Sequence, residues 1–198
     1  MTSKDLMRRA QLVAESAAAR KVDATRHKCF VSYQVDDLDE VTTFLDTHGS
    51  EFIARSVGVT EEDDFVNSTD AEYIKRRIRE VYLTDSTVTI VLLGRCTWSR
   101  KFIDWEISSS LRDDSINRRN GLLAIPLPSM NNSSVLPARI KDNWIEDDLP
   151  SSYAVYASYP TQASVIRARI ETAFAARTAK ADKVNNARDL RESNAACT

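Results

Sequence analysis

The chain holds little of the material that most familiar catalytic and cofactor sites require. Its 198 residues include two histidines, so a Ser/His/Asp triad or a histidine-based zinc centre has almost nothing to draw on. Three cysteines, Cys29, Cys96 and Cys197, are odd in number, widely spaced and outside any metal-binding pattern. That usage fits free thiols in a reducing compartment, and no metal site is expected. Glycine is absent where nucleotide loops need it. The turn after the first apolar run reads Ser32-Tyr33-Gln34-Val35-Asp36-Asp37, without the glycines of a dinucleotide fingerprint, and no GK[ST] phosphate loop occurs. A flavodoxin would place several Ser, Thr or Gly residues in that turn, where Ser32 stands alone. A phospho-acceptor receiver domain would need Asp at the end of the third strand, where Leu93 and Gly94 stand. A net charge of -2 supplies no basic field for nucleic acid. The longest apolar-rich run, Val88 to Leu93, is far too short to span a bilayer, and Glu15 interrupts any signal-type core at the start. The expected location is the cytoplasm, with neither nucleic acid nor membrane as a partner.

What is present is the composition of a soluble globular domain: 42% apolar and 28% charged residues. The length suits one domain of roughly 150 residues with extensions. The most informative stretch is Ser86 to Asp113. Val88, Ile90, Val91, Leu92 and Leu93 read as a strand buried on both faces and closed by Gly94. Trp98 to Leu111 follows with helical spacing, Ile103, Ile107 and Leu111 lying at i, i+4 and i+8. At about 100° per residue, Glu106 falls between Phe102 and the Ile103/Ser110 direction, on the border of the apolar stripe. A carboxylate there is partly shielded and interacts more strongly with a nearby positive charge than it would in open water. Glu106 is the residue to explain.

In chain order, Asp5 to about Lys21 is rich in helix formers with a narrow apolar face. That face can dock on the domain, pair with another copy, or await a partner. Cys29 to Tyr33 is a short strand; Asp36 or Asp37 caps a helix through Leu38, Val41, Phe44 and Leu45, which ends at His48-Gly49. Glu51 to Val57 reads as a second strand. Gly58 to Thr69 is an acidic surface loop, and Thr69 with Glu72 matches a capping box for a helix through Ile74, Ile78 and Val81. Arg76 and Arg77 are expected in solvent. Asn120-Gly121 reads as a helix stop before a fourth strand, Leu122 to Leu127. Residues 129–152 are irregular, 152–157 form an edge strand, and Gln162 to about Thr178 is the last helix. The tail from Lys180 is expected to be a frayed helix or disordered.

Alternating strands and helices of this kind make a parallel sheet covered on both faces, with ligands outside the carboxyl ends of the strands. Those ends are Ser32-Tyr33, the loop after Val57, and Gly94 to Trp98.

Four pieces now carry a resemblance: Phe30-Val31-Ser32-Tyr33, Thr69-Asp70-Ala71-Glu72, Ser86 to Gly94, and Trp98 to Ile107. Together they resemble a bacterial TIR-like (Toll/interleukin-1 receptor type) domain, most closely the TIR-like proteins of Thoeris-type antiphage defence. The resemblance covers about residues 28 to 175. It implies an α/β, flavodoxin-like three-layer sandwich with a central, mostly parallel five-stranded sheet. The organisation is then a basic N-terminal helix at 1–26, the TIR-like domain at 27–178 and a polar tail at 179–198. It further implies cleavage of NAD⁺ between nicotinamide and ribose, with NAD⁺ as substrate and no cofactor. In Thoeris-type members the ADP-ribose part is cyclised into a signal that activates a partner effector. Self-association is implied too, because such enzymes often complete a site between subunits. The family's catalytic glutamate carries over to Glu106 and its substrate-lining residues to Ser32 and Tyr33. Many members have Trp four residues before the glutamate; this chain has Phe102 there and Trp105 directly before Glu106. Trp98 is either an aromatic wall of the site or a structural residue at a helix start. The physical account agrees: leaving of neutral nicotinamide needs no proton, and one carboxylate can stabilise the oxocarbenium-like charge that builds on the ribose. The competing readings are a non-catalytic TIR-type module assembling through its helices and the Glu61–Asp64 loop, and a flavodoxin-like domain binding a ligand without turnover.

Overall fold

Backbone groups in an apolar run must find their hydrogen bonds within the structure, and Val88–Leu93 does so as the middle strand of a sheet, buried along its whole length. In the computed structural model, which describes residues 2–20, 25–114, 118–130 and 135–197, five parallel strands are present. They are β1 (Lys28–Ser32), β2 (Ile53–Arg55), β3 (Val88–Leu93), β4 (Gly121–Pro126) and β5 (Val155–Tyr156), in the order β2-β1-β3-β4-β5. All four pairings are parallel, with Ser32 opposite Val91 and Thr89 opposite Leu122. The helices are α1 (Ser3–Ala19), α2 (Leu38–His48), α3 (Ala71–Val81), α4 (Lys101–Leu111), α5 (Ala138–Lys141) and α6 (Ala163–Ala179). The expected helix end at Lys21 and the 131–134 part of the irregular run lie outside the described residues.

Side-chain alternation along β3 divides the core. Ile90 and Leu92 face α1, α2 and α6, packing with Phe44, Leu45, Ile166 and Ile170. Val91 and Leu93 face α4 and α5, packing with Ile103, Ile107, Leu111 and Ile140. A third cluster joins Phe30 and Trp105 to Ile74 and Ile78 of α3. The N-terminal helix docks: Met7, Ala10, Ala14 and Ala17 are buried, three of them alanines that let α1 approach closely.

Local chemistry moves several expected boundaries. The α3 cap is Asp70, whose Oδ1 accepts from Glu72 N at 2.9 Å and Tyr73 N at 3.0 Å, so the expected Thr69 box is displaced by one residue. Glu72 pairs instead with Lys75 and Arg112. Asp37 precedes α2 but makes no side-chain cap bond. It lies against Gly94, where burial and then the charges of Glu40 and Asp36 push its carboxyl up to about 6. Gly121 opens β4 rather than ending a helix, and a side chain there would collide with the Ala173 backbone of α6. A 3₁₀ turn, Thr97–Ser99, precedes α4, so the helix starts at Lys101 rather than Trp98.

Two expectations fail outright. The tail is neither frayed nor disordered: after α6 and a 3₁₀ turn at Ala181–Lys183, an extended strap crosses α4 and α5. Nor are the cysteines all free, since Cys197 at the strap's end forms a disulfide with Cys96, 101 residues away, while Cys29 is buried. The cause is tertiary. Sequence spacing carries no sign that the strap returns to the loop after β3.

Candidate active site

The α4 helix presses Ile103 and Ile107 onto the sheet, and Glu106, one turn from Ile103, goes down with them. It is 2% exposed, deeper than a border position implies. Ser32 Oγ, at the carboxyl end of β1, donates to Glu106 Oε2 at 2.6 Å. Val59 N, in the loop after β2, donates to Oε1 at 2.8 Å. The loop can come this close because residue 58 is glycine; a Cβ built there would fall on Oε1. Glu106 forms no ion pair among the described residues, and no cation is among the causes that shift its carboxyl. Burial therefore raises its carboxyl to about 7, against the lowering effect of the Ser32 and Val59 bonds, with Asp63 adding a further raise.

The carboxylate lines a cavity of about 230 Å³ together with Tyr33, Gln34, Val59, Thr60 and Phe102. Ser3 and Met7 of α1 and Asn194 of the strap also line it, and Arg100 and Asp36 stand there as an ion pair at 3.4 Å. Two buried polar atoms in this lining, Tyr33 Oη and Gln34 Oε1, have no hydrogen-bond partner among the described residues. The Tyr33 hydroxyl is pushed well above its usual range, first by burial and then by the charge of Glu106. Phe102 packs edge-on against Trp105 at 5.5 Å and supplies the cavity's aromatic side.

Of the residues expected from sequence, Ser32, Tyr33, Phe102 and Glu106 are brought together. Trp98 is not. It lines a neighbouring cavity of about 410 Å³ with Asp104, Pro137 and Arg188 and is not part of the lining around Glu106. The sequence reading missed Gln34, Val59, Arg100 and Asn194. Gln34 adjoins a motif that was read and Arg100 lies inside one, whereas Val59 and Asn194 lie in segments without periodicity.

A five-stranded parallel sheet in this order, helices on both faces and a buried carboxylate outside the strands' carboxyl ends define a flavodoxin-like domain of the TIR type. The model of one family, the TIR-like domain of the Thoeris protein ThsB, matches residues 30–132, more than half of the chain, and the chain belongs to that family. Membership places it in antiphage defence. The match runs from β1 past the end of β4 and stops short of the strap. No curated protein and no solved structure matches the chain. Among the described residues, no helix is long and apolar enough to cross a membrane.

Proposed function

We propose that this protein cleaves NAD⁺ at the bond between nicotinamide and ribose, in the cytoplasm, giving nicotinamide and an ADP-ribose-derived product, linear or cyclised. The observation that carries this is the Glu106 carboxylate, buried with no ion pair among the described residues, with both oxygens hydrogen-bonded and a cavity in front of it. Burial holds such a group partly protonated near neutral pH, and a positive charge brought into the cavity favours its ionised form. The nicotinamide ring of NAD⁺ brings one, and the reaction moves it to the ribose. As the C1′–N bond breaks, its electron pair stays with nicotinamide, which leaves neutral. Positive charge then spreads over C1′ and the ring oxygen, beside the preorganised carboxylate. Water or a nucleophile within the ADP-ribose part completes the step. Tyr33 Oη and Gln34 Oε1 offer one donor and one acceptor, which is the pair a carboxamide takes up. Arg100 supplies a cation on the cavity lining for the pyrophosphate. Self-association and a downstream effector switched on by the product belong to the same proposal.

The test is nicotinamide release from NAD⁺ by concentrated wild type and Glu106→Gln, with products separated by chromatography. Turnover should fall roughly 10²- to 10⁴-fold in the variant while the fold is kept. No release from wild type at high concentration would overturn the enzymatic reading and leave an interaction module.

A further inference from the structure

The strap that closes over α4 touches the candidate active site. Its first half is clamped by buried groups. Asn185 N donates to Asn143 Oδ1 at 2.8 Å, and Arg139, fully buried and paired with Asp104, donates to the Arg188 and Asp189 carbonyls at 3.0 and 3.1 Å. Arg191 N reaches Asp104 Oδ2 at 3.0 Å, and Trp105 Nε1 reaches the Arg191 carbonyl at 2.8 Å. Beyond Arg191 the grip changes. Residues 192–194 are exposed, and this end is held by Lys101 N donating to Asn194 Oδ1 at 2.8 Å, Ala195 N donating to the Ser99 carbonyl at 2.9 Å, and the Cys96–Cys197 disulfide. A few exposed hydrogen bonds do not offset the backbone entropy of six ordered residues, so the disulfide decides whether this end stays down.

Asn194 is the residue through which that matters. Lys101 opens α4 with no cap from its own neighbour Arg100, and the Asn194 side chain takes that role from a distant part of the chain. A backbone N–H must bond the amide oxygen, which leaves Asn194 Nδ2 as a donor on the lining of the Glu106 cavity. We propose that the C-terminal strap is a latched wall of this cavity: the Cys96–Cys197 disulfide holds residues 192–197 in place, and Asn194 then binds an oxygen acceptor of the substrate. The substrate half of this inference rests on the NAD⁺ reading above; the latch does not. Closing the latch is thiol–disulfide exchange with a small-molecule disulfide as oxidant. One cysteine thiolate attacks it and expels one thiolate; the second cysteine attacks the mixed disulfide and expels the other. Two protein thiols become one disulfide, and the two departing thiolates take up the two protons. A dithiol reductant reverses the step.

Amide hydrogen exchange on the full chain tests the latch, comparing oxidised wild type, wild type reduced with a dithiol, and Cys197→Ser. Reduction should speed exchange at Lys101 and Ala195, and at Val59 inside the cavity, while Arg191 stays protected; Cys197→Ser should match the reduced protein in either buffer. Unchanged exchange at Lys101 and Ala195 would overturn the latch, and unchanged Val59 would overturn the wall. Kinetics test the substrate contact. KM for NAD⁺ should rise roughly three- to tenfold on reduction, the scale of one neutral hydrogen bond, with kcat steady, and oxidised Asn194→Ala should show the same rise. Equal KM in oxidised wild type and Asn194→Ala would overturn the Asn194 assignment. If no form releases nicotinamide, the NAD⁺ reading fails and takes the substrate contact with it, while exchange still decides latch and wall.

Discussion

Glu106 carries opposing demands on stability and reactivity. Burial raises its carboxyl from an ordinary value of 4.5 to about 7, so between those limits the folded chain holds a proton that the unfolded chain has lost. The stability this proton supplies is complete below the lower value and is lost as pH rises through about 7. Glutamine has no charge to bury. Relative to wild type, Glu106→Gln should therefore gain stability between pH 5 and pH 8, by up to about 3 kcal/mol, in denaturant titrations at both values. Comparing the two chains cancels the titration of Asp37, which is shared. Turnover should run the other way, rising through pH 7 as the carboxylate ionises. A second test leaves the glutamate in place. Gly58→Ala puts a methyl where Oε1 lies, and displacing the carboxylate should cost turnover roughly 10²-fold with the circular dichroism unchanged. Full activity would mean that the chemistry does not use this carboxylate position. Glu106 was legible because helical spacing places it at the edge of the apolar stripe, whereas Ser32, Tyr33 and Phe102 were legible only through the family resemblance of the motifs that hold them. Gly58, Val59 and Gln34 sit in turns, where no period operates and a backbone N–H is as useful as a side chain.

At the scale of elements, the strands were legible in order and type because each apolar run is short and bounded by turn residues. Their limits shrank, as in β2, where pairing with β1 alone supports three residues. Element α1 was legible as a helix, and its alanine face settles among the three open outcomes on docking. Arg139 was invisible. A four-residue helix buries it completely, and there it joins Asp104 of α4 to two carbonyls of the strap. Removing one partner of a buried pair strands the other charge, so Arg139→Ala should lose roughly 3–5 kcal/mol of stability in urea unfolding. It should also release the strap at Arg188 and Asp189, seen as faster exchange of the Arg191 amide. A loss under about 1 kcal/mol would mean that the pair is solvated and the strap is held elsewhere.

Across the whole molecule, the parallel sheet sets one end aside for chemistry, and every expected site residue that came together did so at that end. The strap obeys no such rule. Its bonds run to side chains and backbone of α4, α5 and the turns beside them, with no repeat along the chain, so nothing in its polar, charge-balanced sequence distinguishes it from a loose tail. Its disulfide gives the molecule a thermodynamic property that neither the sheet nor the glutamate possesses. Free-energy coupling is reciprocal: a bond that tightens substrate binding is tightened by substrate through the same factor. A three- to tenfold effect on binding corresponds to about 15–30 mV in the midpoint of the cysteine couple. With substrate abundant, the couple stays closed at a more reducing poise; as substrate is consumed, the same poise opens it, so the protein's redox state reports on its own progress.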